Sequence, residues 1–261
     1  MRFGLACLTT VVSLSMVVPT IAAQVEVTSV TGNWTSSDAA VTGLNTNTVE
    51  WGTPASGSGR SGYVFDGLAP PSLGPFQPAV GVIVGEFTHN NFPIFDDGAI
   101  PTQIELVVTV QGTISEGNQS VGFSLFDTLD FTHFETPNTG SPCAAGGAQP
   151  CPDQVTLTQV NVPDVTVEFL GIAYGFNVNG FFDANSQVVN QFLTLENAAN
   201  TVNIQGVFTA SPVAVPLPAS VAMLLAALSG FVVLTRRRLS PQLYAVRSRR
   251  AKRTSENLPT R

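Results

Sequence analysis

From Gln24 to Ala210 the chain is a succession of short β-branched or alternating runs separated by turn residues, and no ten-residue window carries a capped helical stripe. The runs are Val25 to Thr31, Tyr63 to Phe65, Val80 to Phe87, Ile104 to Val110, Val121 to Phe126, Val155 to Val160, Val165 to Leu170 and Val202 to Phe208. Period-2 alternation is the mark of a half-buried strand, and a series of such strands joined by Gly, Pro and Asn loops closes into a sandwich or jelly roll. The predicted fold is therefore all-β, a sandwich- or jelly-roll-like ectodomain. Within Ile104 to Val110 the pattern shifts near Val107 and Val108, which predicts a bulge or a strand buried on both faces. No fixed-period repeat or internal linker interrupts residues 24–210, so a single exported domain is expected.

Charge narrows the partners. Only 11% of the 261 residues are charged, well below the usual quarter. Arg60 is the one Lys or Arg between Gln24 and Thr235, a stretch that holds 17 of the 18 acids. Such a body repels nucleic acid and anionic lipid headgroups, which makes both poor partners, excludes nucleic-acid binding and favours cations or neutral ligands.

Both ends read as addresses. Arg2, the apolar run Phe3 to Val18 and the small residues before Gln24 form a secretory signal over residues 1–23, with cleavage after Ala23 preferred and after Ala22 the alternative. Near the other end Ala219 to Leu234 is 16 uncharged residues, followed by Arg236, Arg237 and Arg238. Read with the residues before it, this is one transmembrane helix over about 219–235, with the arginines holding the tail on the cytoplasmic side. Residues 239–261 then form a basic cytoplasmic tail.

The order Val215-Pro216-Leu217-Pro218-Ala219, apolar helix, Arg236-Arg237-Arg238 resembles the tripartite PEP-CTERM sorting signal in its VPLPA variant, over residues 211–238. The resemblance implies a Gram-negative bacterium and an exosortase-type membrane protease that cuts near the proline motif and releases or re-anchors the body. Such signals usually stop just after the arginines, whereas this chain continues for 23 residues from Leu239 to Arg261.

Cysteine usage agrees with export. Cys7 lies in the signal, which leaves Cys143 and Cys151 in one Gly/Pro-rich loop, where an oxidising compartment pairs them. A wider resemblance covers most of the body. Gly32-Asn33-Trp34-Thr35, Val49-Glu50-Trp51-Gly52-Thr53, Ser61-Gly62-Tyr63-Val64-Phe65, Gly85 to Ile94, Phe134 to Asn138, the cysteine loop and Asp153 follow the order of the THxN family of PEP-CTERM proteins, related to the choice-of-anchor K domains. The family motif stands here as Thr88-His89-Asn90-Asn91. This resemblance implies an exported β-sandwich attached by interchangeable anchors, and it brings no catalytic residues.

Sites are sparse. No G-x-S-x-G occurs, and His89 and His133 are the two histidines. Gly57 to Gly62 matches G-x-G-x-x-G but opens no helix, so it reads as a loop before the Tyr63 strand. Both histidines end the same tripeptide, Phe87-Thr88-His89 and Phe131-Thr132-His133. The favoured reading makes each a partly buried loop organiser bonded to a loop carbonyl. On neighbouring strands they would instead converge with Glu135 or Asp127 on a metal. No cofactor is expected beyond a structural calcium, for which Asp96, Asp97, Asp127 and Asp130, with Asp183 and Asn185, supply hard oxygens. Trp34, Trp51, Tyr63 and Tyr174 are candidates for stacking on sugars, with core packing as the competing reading.

The expected function is a non-enzymatic, exosortase-sorted surface or extracellular-matrix protein associated with exopolysaccharide or biofilm, membrane-anchored through the C-terminal helix before processing. A carbohydrate- or calcium-dependent adhesin module and a secreted hydrolase are the alternatives.

Overall fold

In the computed structural model, residues 23–69, 80–95, 100–159, 165–213 and 223–224 are described. The body is all-β: β1 (Gln24–Ser37), β2 (Thr48–Trp51), β3 (Thr53–Pro54), β4 (Ser61–Gly67), β5 (Gly81–Asn91), β6 (Ile94–Phe95), β7 (Gln103–Glu116), β8 (Gln119–Phe134), β9 (Asp153–Gln159), β10 (Val167–Phe169), β11 (Ile172–Phe182), β12 (Val188–Val189), β13 (Gln191–Thr194) and β14 (Ala198–Pro212). One sheet runs β1-β7-β8-β9-β13, and the facing sheet runs β10-β11-β14-β5-β4-β2 with β12 beside β11. All these pairings are antiparallel. β3 and β6 make a small separate ribbon.

Alternation sets which side chains form the core. Along β8 the inward series is Phe123, Leu125, Asp127, Leu129, Phe131 and His133, and β7 answers with Ile104, Leu106, Val108 and Val110. Val107 lies on the outer face, only partly buried, so β7 is neither bulged nor buried on both sides at that point. The bulges fall on its partner: β1 carries one extra residue at Thr28 and another at Thr35. The first of these flips the parity of β1, so that Val25 and Val27 point inward before it and Val30 and Trp34 after it.

β11 uses the same device. Its register slips at Asn179, and the inward series passes from Tyr174, Phe176 and Val178 to Phe181. Beside the slip, Asp127 reaches across from the other sheet and accepts from the Val178 N–H at 2.7 Å. A buried acid at the centre of β8 is thereby explained by a backbone donor.

Close approach also needs missing side chains. The Phe65 ring lies against Gly32 and Gly85, where an added Cβ would come within 2.3 and 2.5 Å of it. Trp34, Tyr63, Phe87 and Phe131 form a continuous aromatic cluster between the sheets, with ring centroids 4.9–6.3 Å apart. Trp34, Trp51, Tyr63 and Tyr174 are all at most 2% exposed, so none is a sugar-stacking platform.

Cys143 and Cys151 are joined in a disulfide within the loop between β8 and β9. The body ends at Val213, three residues beyond the boundary expected at Ala210, because β14 continues to Pro212. Ala23, the expected last residue of the signal, is buried. In the second unit, Ala214–Arg261, only Met223 and Leu224 are described, with helical backbone. No helix among the described residues is long and apolar enough to cross a membrane. The rest of the signal, the sorting motif Val215 to Ala219, Arg236 to Arg238 and the tail lie outside the described residues, as do Asp96 and Asp97.

Candidate functional site

The two Phe-Thr-His tripeptides face one another. β5 and β8 belong to opposite sheets and are not ladder neighbours. Phe87 stacks on Phe131 with centroids 5.2 Å apart, and one step further His89 meets His133 edge to face, also at 5.2 Å. Period-2 alternation puts Phe and His of each tripeptide on the inner face and the threonine outside. Thr88 accordingly bonds the Thr201 hydroxyl on the outer surface. The family motif is split the same way, with His89 and Asn91 buried and Asn90 on the outer side.

His89 is fully buried rather than partly so, and its partner is a side chain rather than a loop carbonyl. Its Nδ1 lies 2.8 Å from the hydroxyl of Thr194, the last residue of β13. Asn91 takes the main chain of the same residue, donating from Nδ2 to the Thr194 carbonyl at 3.1 Å. Thr194 itself pairs with Asp153, the first residue of β9, and donates its hydroxyl proton to the Asp153 carbonyl at 3.4 Å. The motif therefore anchors the junction of β13 and β9.

His133 makes two contacts. Its Nδ1 lies 2.5 Å from the Tyr63 hydroxyl, and its Nε2 lies 3.1 Å from Glu135 Oε2. Asp153 is buried: its Oδ1 accepts from the Thr136 N–H at 2.8 Å, and its Oδ2 has no hydrogen-bond partner. Single ligand atoms of His89, His133 and Asp153 lie within 4.8 Å of one another, and so do those of Glu135, Asp153 and Glu196. Asp153 is common to both groups.

Burial dominates the electrostatics. It holds the His89 imidazole well below its ordinary pKa, with His133 adding to the effect. His133 is lowered to about 4 by burial, against an opposing pull from Asp153. Burial and then the Glu135 charge raise Asp153 to about 7, although the Thr136 N–H works the other way. Glu196 is likewise raised to about 7 by burial, then by Asp153 and Glu135. A cleft of about 500 Å³ opens beside this cluster and is lined by Ile94, Pro101, His133, Glu135 and Asn138 among others.

Among the described residues, the acids expected to hold calcium are not brought together. Asp127 faces the core and accepts from Val178. Asp130 lies on the opposite face of β8 across from Glu105, where burial and that neighbouring charge raise its pKa. Asp183 closes its own turn, accepting from the N–H groups of Asn185 and Gln187 at 2.9 and 2.8 Å. Asp153 enters the sequence reading only as the last residue of the family order, without a role, and nothing in the linear sequence links Glu196 to the histidines.

The fold and site thus define a class: an antiparallel β-sandwich with an aromatic core that gives way at one end to a buried cluster of imidazoles and carboxylates. No protein-family model matches the chain, and no curated protein matches it.

Proposed function

We propose that this is an exported, exosortase-sorted surface or extracellular-matrix protein of a Gram-negative bacterium, non-enzymatic and associated with exopolysaccharide. The observation that carries the reading is the fit between the folded unit and its expected addresses. β1 opens at Gln24, directly after the expected signal, and the body closes at Val213, just before Val215-Pro216-Leu217-Pro218-Ala219. Removing either address therefore leaves the strands whole. The Cys143–Cys151 disulfide suits an oxidising compartment. The acidic body, with Arg60 as its one base, suits a neutral matrix or a cation better than an anionic surface.

The surface-protein reading is preferred to an aromatic-platform adhesin because the four aromatic candidates are buried. Its test is fractionation of a doubly tagged chain in a host with and without an exosortase-type protease. The expected result is a full-length membrane form that becomes a shorter surface or matrix form only when the protease is present. Replacing Val215 to Ala219 with glycines should stop that conversion. Full-length chain found only in the cytosol would overturn the proposal.

A further inference from the structure

Three carboxylates, Asp153, Glu135 and Glu196, gather at one end of the sandwich, where burial is complete for the first and partial for the other two. The body has almost no basic charge to set against them. Its single guanidinium, Arg60, is exposed and directed to the Thr42 hydroxyl at 3.3 Å. Clustered carboxylates in a low-dielectric place are tolerated only when protons or a cation neutralise them.

The histidines indicate which cation. The Thr194 hydroxyl, 2.8 Å from His89 Nδ1, has the Asp153 carbonyl within 3.4 Å to take its own proton, so it can receive the Nδ1–H of His89. In that tautomer Nε2 is a bare lone pair. This nitrogen belongs to a fully buried side chain and has no hydrogen-bond partner, Asp153 Oδ2 is equally unpartnered, and single ligand atoms of His89, His133 and Asp153 lie within 4.8 Å of one another. Two unused lone pairs from different strands thus belong to one buried cluster. His133 supplies a third donor, with its Nδ1 on the Tyr63 hydroxyl and its Nε2 against Glu135. Each imidazole thus has a hydroxyl on its far nitrogen, the outer-shell arrangement that orients metal-binding histidines.

We propose that His89, His133 and Asp153 bind one divalent transition-metal ion, with Glu135 beside them as a further oxygen donor. Two imidazoles with carboxylates match zinc, whereas calcium calls for six or more oxygens. The ion would join β5, β8 and β9 and hold the disulfide loop to them through Thr136 and Asp153. The cleft lined by His133 and Glu135 gives it a way in. This site goes beyond the sorting reading and does not depend on it.

The test uses the full-length chain recovered from an exporting host in mild detergent, stripped with a chelator and titrated with zinc chloride, then with calcium chloride. Calorimetry and metal analysis should find one zinc per chain, and zinc should raise the melting temperature. Cobalt in its place should give the visible absorption of a low-symmetry nitrogen and oxygen site. His89→Gln and Asp153→Asn should each weaken zinc binding by about 100-fold or more, and Thr194→Val, which removes an outer-shell partner, by about 10-fold. If His89→Gln does not fold, Thr194→Val and the wild-type stoichiometry still decide. Folded chain that takes up no zinc would mean a buried water only and would overturn the proposal. So would calcium binding tighter than zinc, or zinc binding that ignores all three substitutions.

Discussion

The two ends of the core are built from the same strands and differ sharply in composition. At one end Phe123, Phe176 and Phe208 pack ring against ring, with centroids 5.3–6.0 Å apart, among Leu125, Ile114 and Val110. At the other end the inward positions of β4, β5 and β8 are Tyr63, His89, Asn91 and His133, and Asp153 closes the space. The buried polar atoms without a hydrogen-bond partner follow the same division. Among the described residues, Trp51 Nε1, His89 Nε2, Asn91 Oδ1 and Asp153 Oδ2 lie at the polar end, and Asn177 Oδ1 lies away from it. Such atoms are costly where they serve nothing, at about 1–3 kcal/mol each. Their concentration in one place sets a polar end of the core against an apolar one.

Substitutions can break or sharpen this contrast. The largest effect is expected at the apolar end. Phe176→Ala should cost about 3–5 kcal/mol in urea denaturation, and the loss should be the same with zinc or with chelator. A loss that changed with zinc would mean that the two ends are not separate. Next comes the loop that ties the polar end together. Cys143→Ser with Cys151→Ser should cost about 2–3 kcal/mol by the loop-entropy estimate, again read by urea. Oxidised and reduced protein should also differ in how readily protease cuts residues 137–150.

Between the ends, Asp127→Ala should cost about 1–3 kcal/mol, because the buried Val178 N–H loses its acceptor. Hydrogen exchange at Val178 should rise, while exchange at Thr194 stays as it was. The smallest effect is at the rim. Although burial pushes the other way, hydrogen bonds from the Thr102 hydroxyl and the Gln103 and Thr102 N–H groups hold the Asp38 carboxyl below its ordinary pKa of 3.8. Its contribution is therefore present above pH 3.8 and lost as the pH falls through the lowered value. Asp38→Asn should cost under about 1 kcal/mol at pH 7, since the group is largely in solvent, and should flatten the acid limb of the stability profile.

The sheet content was legible where period-2 runs stand alone. Each of the eight runs read from the sequence overlaps a strand: β1, β4, β5, β7, β8, β9, β10 and β14. The missing long strand is β11, Ile172–Phe182, in which Gly175, Asn177, Asn179 and Gly180 imitate a turn. Those residues belong to a bulged strand, and the flip of parity at Asn179 hides its alternation. β2 and β13 are only four residues each, too short for a pattern. At the site, the repeated Phe-Thr-His was the readable signal, and the facing arrangement of its two copies follows from their sheets. The approach of Asp153 and Glu196 to the histidines could not be read, because it is a product of sheet docking and of no local pattern; Asp153 stands in the family order without a role. The spread of the calcium candidates over both faces of β8 was foreseeable from parity: Asp127 and Asp130 are three residues apart, an odd step that sends them to opposite sides.

The pairing of the two tripeptides across the sandwich also orders events in time. The β7–β8 hairpin closes through Gly117-Asn118 alone, with Glu116 opposite Gln119, so it joins near neighbours in the chain and can form early. His89 and His133 lie on opposite sheets, so they meet only when the two sheets have come together, across a much longer stretch of chain. Trp51 of one sheet packs edge to face on His133 of the other with centroids 5.2 Å apart, which makes its fluorescence a clock for that last step and separates the birth of the strands from the closing of the molecule.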